Sequence, residues 1–156
     1  MKSTFFFISF FIFTAISSDI SACSVFTNAP AKFHRSLFGN SKVLPTSPTV
    51  TISSIIRAGD MGASCNDIAI LVLAIPIETP NPSYAYKFEL VSGTEPASLF
   101  KKEPIIGAIQ DGKQTFAFSW IEGRALPFDL VVRVTAYTKS GKRGGFTNIS
   151  LSDAGR

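Results

Sequence analysis

The chain has 156 residues, of which 46% are hydrophobic and 17% charged, and its formal net charge is +4. That length holds one domain of ordinary size, and that apolar content excludes a disordered chain. With one histidine and two cysteines, there is no zinc ligand set and no support for a Ser-His-Asp or Cys-His catalytic arrangement.

The chain opens MKSTFFFISFFIFTAISSDISAC. Lys2 is a short basic leader, Phe5 to Ile16 an apolar core, and Ser17 to Ala22 a small, polar cleavage region. This is the pattern of a secretory signal peptide over residues 1–22. About 12 apolar residues fall short of the roughly 20 that a helix needs to cross a bilayer. An exported protein, periplasmic or extracellular, is expected. Removing Lys2 and Asp19 with the leader leaves the net charge unchanged.

Cys23 and Cys65 then have two mutually exclusive fates. An exported chain with two cysteines suggests one disulfide, which would contribute roughly 4 kcal/mol by closing its loop. Alternatively, Ile20-Ser21-Ala22-Cys23 resembles the lipobox of bacterial lipoproteins. Acylation at Cys23 would then give a membrane-anchored protein of structural role and leave Cys65 unpaired. Ile20 stands where that motif usually has leucine, and Ser17-Ser18-Asp19 separates the apolar core from the cysteine.

Residues 23–47 carry Asn28, Pro30, Gly39, Asn40 and Pro45 without a sustained period, and read as an irregular segment. The lone His34 falls here, where a histidine is ordinarily a surface residue. From residue 48 to 153 the pattern is that of strands. TVTISSIIR (residues 49–57) is the first, with Ser53-Ser54 shifting its alternation as a bulge would. In the following loop Asp60, Asn66 and Asp67 match no calcium-loop spacing and suit turns. IAILVLAIPI (68–77) is apolar on both faces, as in a central strand covered on both sides, with Pro76 at its end.

YAYKFELV (84–91) turns Tyr84, Tyr86, Phe88 and Leu90 inward and Lys87 and Glu89 outward. Residues 94–112 are less regular and suit an edge strand and a crossover. QTFAFSWI (114–121) sets Phe116, Phe118 and Trp120 on one face. FDLVVRVTAY (128–137) alternates Phe128, Leu130, Val132, Val134 and Ala136 with Asp129, Val131, Arg133 and Thr135. The turn KSGKRGG leads to FTNISLS, where Ile149 and Leu151 return inward, so Phe128 to Leu151 is a β-hairpin. About seven short strands with Pro/Gly turns and no amphipathic helix predict an all-β sandwich.

At Leu126–Gly144 the stretch LPFDLVVRVTAYTKSGKRG resembles the end of a fibronectin type III or related immunoglobulin-like domain. The resemblance implies a two-sheet Greek-key sandwich over residues 48–153. Leu130 stands where that family usually has a corner tyrosine, and Trp120 lies in a later strand than its usual tryptophan. The fold by itself implies no function.

The expected function is non-enzymatic: binding or adhesion to a protein, an envelope component or a polysaccharide. Lys139, Lys142 and Arg143 form the candidate binding loop, a cluster suited to an anionic partner. Lys101 and Lys102 are a second basic pair. A carbohydrate-binding module is the alternative, with Tyr84, Tyr86 or Trp120 stacking on sugar rings. A carboxylate hydrolase is the third, for which Glu122 with Asp129, and Asp60 with Asp67, are the available acids. Bases without interleaved aromatics disfavour nucleic acid, and a membrane is expected only through a lipidated Cys23. No cofactor motif is present; Ser140-Gly141-Lys142 lacks the rest of a P-loop. Asn148-Ile149-Ser150 is a formal glycosylation sequon inside a predicted strand.

The mature protein from its own compartment should have a mass starting at Cys23, with both thiols alkylated only after reduction. A mass raised by acyl chains, with Cys65 alkylated directly, would replace the disulfide by the lipid anchor.

Overall fold

The computed structural model describes residues 30–35, 43–57, 68–77, 84–94, 99–121 and 125–155. The predicted leader 1–22, Cys23, Cys65 and the loop acids Asp60, Asp67 and Glu122 lie outside the described residues. Nine strands are described: β1 (Ala31–Lys32), β2 (Thr51–Ile56), β3 (Ala69–Pro76), β4 (Ala85–Ser92), β5 (Ile105–Ile106), β6 (Ala108–Gln110), β7 (Lys113–Trp120), β8 (Phe128–Tyr137) and β9 (Arg143–Asp153). They form two antiparallel sheets, of order β1-β5-β4-β8-β9 and β2-β3-β7-β6. There is no helix among the described residues.

The alternation in the sequence decides which side chains meet. In β8, Phe128, Leu130, Val132, Val134 and Ala136 are buried, and Leu130 sits opposite Leu151 and Val132 opposite Ile149 in β9. In the other sheet Leu71 pairs with Phe118 and Leu73 with Phe116. These two inner faces join in one core through aromatic rings. Tyr86 meets Phe116 edge-on at 5.6 Å, and Phe88 lies 5.1 Å from Phe116 and 5.0 Å from Phe118. Phe100, from the β4–β5 connection, adds a ring 5.1 Å from Phe118. Edge-on and tilted rings contribute about 0.5–1.5 kcal/mol per pair beyond their buried area.

The continuous apolar run of β3 is buried on both faces: Leu71, Leu73 and Ile75 in the core, Ile70 and Ala74 on the opposite side. In β2 the register slips between Ile52 and Ser54, so that Ile55 packs on the core while Ile56 lies opposite Ile70 on the other face. Leu90 departs from its expected place. It is registered opposite Val132, but β4 shifts register between Leu90 and Ser92, and Leu90 is 38% exposed.

Two strands exceed the seven expected. β1 has two residues and pairs with β5, while the region 94–112 supplies both β5 and β6. Runs of two or three residues are too short for a period of two to be read.

Each long side of the pair of sheets is closed by a specific device. On one, the chain leaves the first sheet at Ile106 and enters the second at Ala108. A Cβ on the intervening Gly107 would lie 2.7 Å from the Thr115 carbonyl oxygen and 2.8 Å from the Phe116 ring, so only glycine fits this close approach. Gln114, 2% exposed, holds the crossover: Gly107 N–H donates to its Oε1 at 3.1 Å, and its Nε2 donates to the Tyr84 carbonyl at 3.2 Å.

On the other side β2 and β9 belong to different sheets. Near one end Gly145 N–H donates to the Pro45 carbonyl at 2.9 Å. At the other, Arg57 Nε donates to Asp153 Oδ1 at 2.9 Å, and Nη2 donates to the same oxygen. The Arg57 guanidinium is 5.5 Å from the Trp120 ring and 5.2 Å from the Phe128 ring.

Replacing Gln114 by Leu keeps the volume but leaves the Gly107 N–H and the Tyr84 carbonyl without this partner. At about 1–3 kcal/mol for each of the two groups left unpaired, a loss of roughly 2–6 kcal/mol is expected in urea denaturation of Gln114→Leu.

Candidate binding surface

The turn between β8 and β9 is built from Thr138 outward. Thr138 is buried; its N–H donates to the Lys142 carbonyl at 3.0 Å, and its carbonyl accepts from Gly141 N–H at 2.8 Å. Its hydroxyl accepts from Lys142 N–H at 3.0 Å and lies 2.9 Å from the Ser140 hydroxyl. Gly141 has φ +79°, a left-handed conformation that glycine adopts without a Cβ penalty. The turn is therefore fixed from within, and it presents Lys139, Lys142 and Arg143 to solvent.

A second segment is fastened to this turn. Arg35 Nε donates to the Ser140 carbonyl at 2.7 Å, and its side chain lies over Gly141, where a Cβ would come within 2.5 Å of Nε. A third segment passes on the side of β9. Pro45 is buried and packs so closely on Gly144 that a Cβ there would be 2.5 Å from the Pro45 carbonyl oxygen. Immediately before Pro45, Val43 and Leu44 are 71% and 52% exposed. One end of the molecule thus combines four exposed cations with two exposed aliphatic side chains. Among the described residues none of these four cations enters an ion pair.

Lys139, Lys142 and Arg143 thus stand together, as the sequence suggests. The three aromatics do not. Tyr86 is buried against Phe116, and Trp120 is buried against Phe128 with 6.0 Å between ring centroids; both rings are spent on core packing. Tyr84 is half-buried and packs on the same core. His34 is exposed. Asp129 is exposed on the outer face of β8, and its expected partner Glu122 lies outside the described residues. Among the described residues no three His, Cys, Asp or Glu side chains are grouped to hold a metal ion.

An open groove of about 320 Å³ lies where β2, β3 and β7 meet the β6–β7 turn, lined by Thr51, Ser53, Gln110, Asp111, Lys113 and Thr115 with Ile52 and Ala74. It holds one acid and no aromatic ring.

On the outer face of the first sheet, Arg133 lies 4.8 Å over the Phe146 ring and donates to Asn148 Oδ1 at 3.3 Å. Lys87 donates to Glu89 Oε1 at 2.7 Å. That hydrogen bond raises the Lys87 pKa against the opposing effect of burial. A raised lysine contributes its stability below the ordinary lysine pKa and loses it only as pH climbs through the raised value. The pair is partly exposed and screened, so its effect is small.

Arg35, Val43 and Leu44 are the members of this surface that sequence reasoning misses. They fall in an irregular segment, and the Arg35–Ser140 contact spans 105 residues, beyond the reach of any local pattern. No family model, curated protein or solved structure matches the chain.

Proposed function

We propose that this is an exported, non-enzymatic protein of immunoglobulin-like or fibronectin III-like architecture that binds an envelope component through its cationic end. The order β2-β3-β7-β6 opposite β4-β8-β9 supports the architecture, because it follows the A-B-E-D and C-F-G strand orders of immunoglobulin domains. The leader-like sequence of residues 1–22 supports export.

A single observation carries the binding surface. Exposed cations from segments 105 residues apart are joined by the Arg35–Ser140 hydrogen bond on a turn that is itself internally bonded. Basic side chains scattered for solubility need no such fastening. A fixed cluster of one sign raises the local concentration of anionic partners and speeds encounter. Binding at the loop ends of a sandwich also leaves the core free to serve stability.

The full chain should co-sediment with envelopes from the cell that produces it, less so as salt rises through the range that screens exposed charges. Charge reversal at Lys139, Lys142 and Arg143 together should abolish this without changing the thermal midpoint. Binding that survives the triple reversal would place the contact elsewhere.

A further inference from the structure

Resting on the proposed cationic contact surface, we infer that its partner is an anionic lipid bilayer, into which Val43 and Leu44 insert while the cations rest on the headgroups. A soluble acidic polymer or peptide needs only the charges. It gives no reason for two consecutive aliphatic side chains to stand in water beside them.

The geometry supplies the apolar half of the site. Gly145 N–H holds the Pro45 carbonyl at 2.9 Å, and the chain from Pro45 to Ser47 runs beside Gly144 and Gly145 in the same direction as β9. Residues 43 and 44 precede Pro45 on that run, so the chain enters it from the turn side of Gly144, where Lys142 and Arg143 lie. Pro45 is buried and the backbone behind it is hydrogen-bonded, so Val43 and Leu44 project from an anchored base. Val43 at 71% and Leu44 at 52% exposure form a small apolar point beside the four cations of the tip.

The physics of a membrane surface asks for both parts. Anionic headgroups attract juxtaposed Lys and Arg within a Debye length, and apolar side chains gain by reaching the acyl boundary beneath. Either alone gives weak, reversible contact; two such signals together give stable association, as with paired lipid anchors. This contact needs no acyl chain on Cys23.

The test is sedimentation of the full chain with vesicles of phosphatidylcholine alone and of phosphatidylcholine with phosphatidylglycerol, alongside a column of immobilised acidic polysaccharide. The expected result is binding to phosphatidylglycerol vesicles, little to phosphatidylcholine, and a decline with salt. Lys139→Gln, Lys142→Gln and Arg143→Gln together should weaken vesicle binding about 100-fold, given the usual contribution of each cation near an anionic surface. Val43→Ser with Leu44→Ser should weaken it about ten-fold and shift the thermal midpoint little, since both side chains are more than half exposed. Equal binding to both vesicle types would indicate an acyl anchor and overturn the inference. So would phosphatidylglycerol binding indifferent to the serine pair. Retention only on the polysaccharide, lost in the glutamine triple variant, overturns the lipid partner but keeps the cationic surface. Vesicle and column binding that both survive the triple variant would remove the surface itself.

Discussion

Arg57 is a charged side chain with 4% of its surface exposed, and the closure of the fold depends on how that charge is accommodated. Moving a guanidinium out of water costs several kcal/mol before any partner is counted. Asp153 supplies the opposite charge through two donors of the same guanidinium, and the Trp120 and Phe128 rings approach it as π faces. Arginine suits this position because its flat, weakly hydrated head can lie against aromatic rings and donate in plane at the same time. Arg57 directly follows β2, and the others come from the end of β7, the start of β8 and the end of β9. One interaction therefore joins both sheets. Asp153 also accepts from Gly155 N–H at 2.9 Å, which fastens the chain beyond the last strand.

The opposite end is closed differently. There the contacts are backbone to backbone, Gly145 with Pro45, and side chain to backbone, Arg35 with Ser140. Glycines at positions 141, 144 and 145 let foreign segments lie directly on the hairpin; a Cβ on any of them would come within 2.6 Å of a neighbouring atom. Charge is buried at one end and displayed at the other. The Arg57–Asp153 pair bridges the two sheets, while the four cations at the other end are exposed. A sandwich that committed its basic residues to internal pairs would have no such surface.

How much of this is legible in the sequence varies with its range. The long strands are legible because burial on one face imposes a period of two. Phe128 to Ala136 and Phe116 to Trp120 show it plainly, and Ser53-Ser54 marks a bulge that the register confirms. Leu90 shows where the rule fails, since a strand's last inward residue can leave the core when the strand bends. Trp120 and Tyr86 illustrate an ambiguity of composition: an aromatic stripe reads equally as ligand platform or core, and only burial decides. Gln114 is polar in an apolar face, a visible anomaly whose purpose appears only once Gly107 and Tyr84 are brought beside it. Arg57 and Asp153 are 96 residues apart, and no local pattern links them. The cationic tip is half legible, because Lys139, Lys142 and Arg143 are neighbours in sequence while Arg35 arrives through the fold.

The Arg57–Asp153 pair, its guanidinium set against the Trp120 and Phe128 rings, closes the seam between the sheets. A double-mutant cycle in urea denaturation tests it most directly, with Arg57→Ala, Asp153→Ala and the two combined. Asp153→Ala should cost about 3–5 kcal/mol, because the buried Arg57 guanidinium loses this carboxylate; Arg57→Ala should cost less, about 1–3 kcal/mol, since Asp153 is 23% exposed. The double variant should cost less than the sum of the two, with a coupling of roughly 1–3 kcal/mol. Single losses within about 0.5 kcal/mol of the parent, adding without coupling, are what an ordinary surface pair gives; that result would mean the seam is closed without this pair.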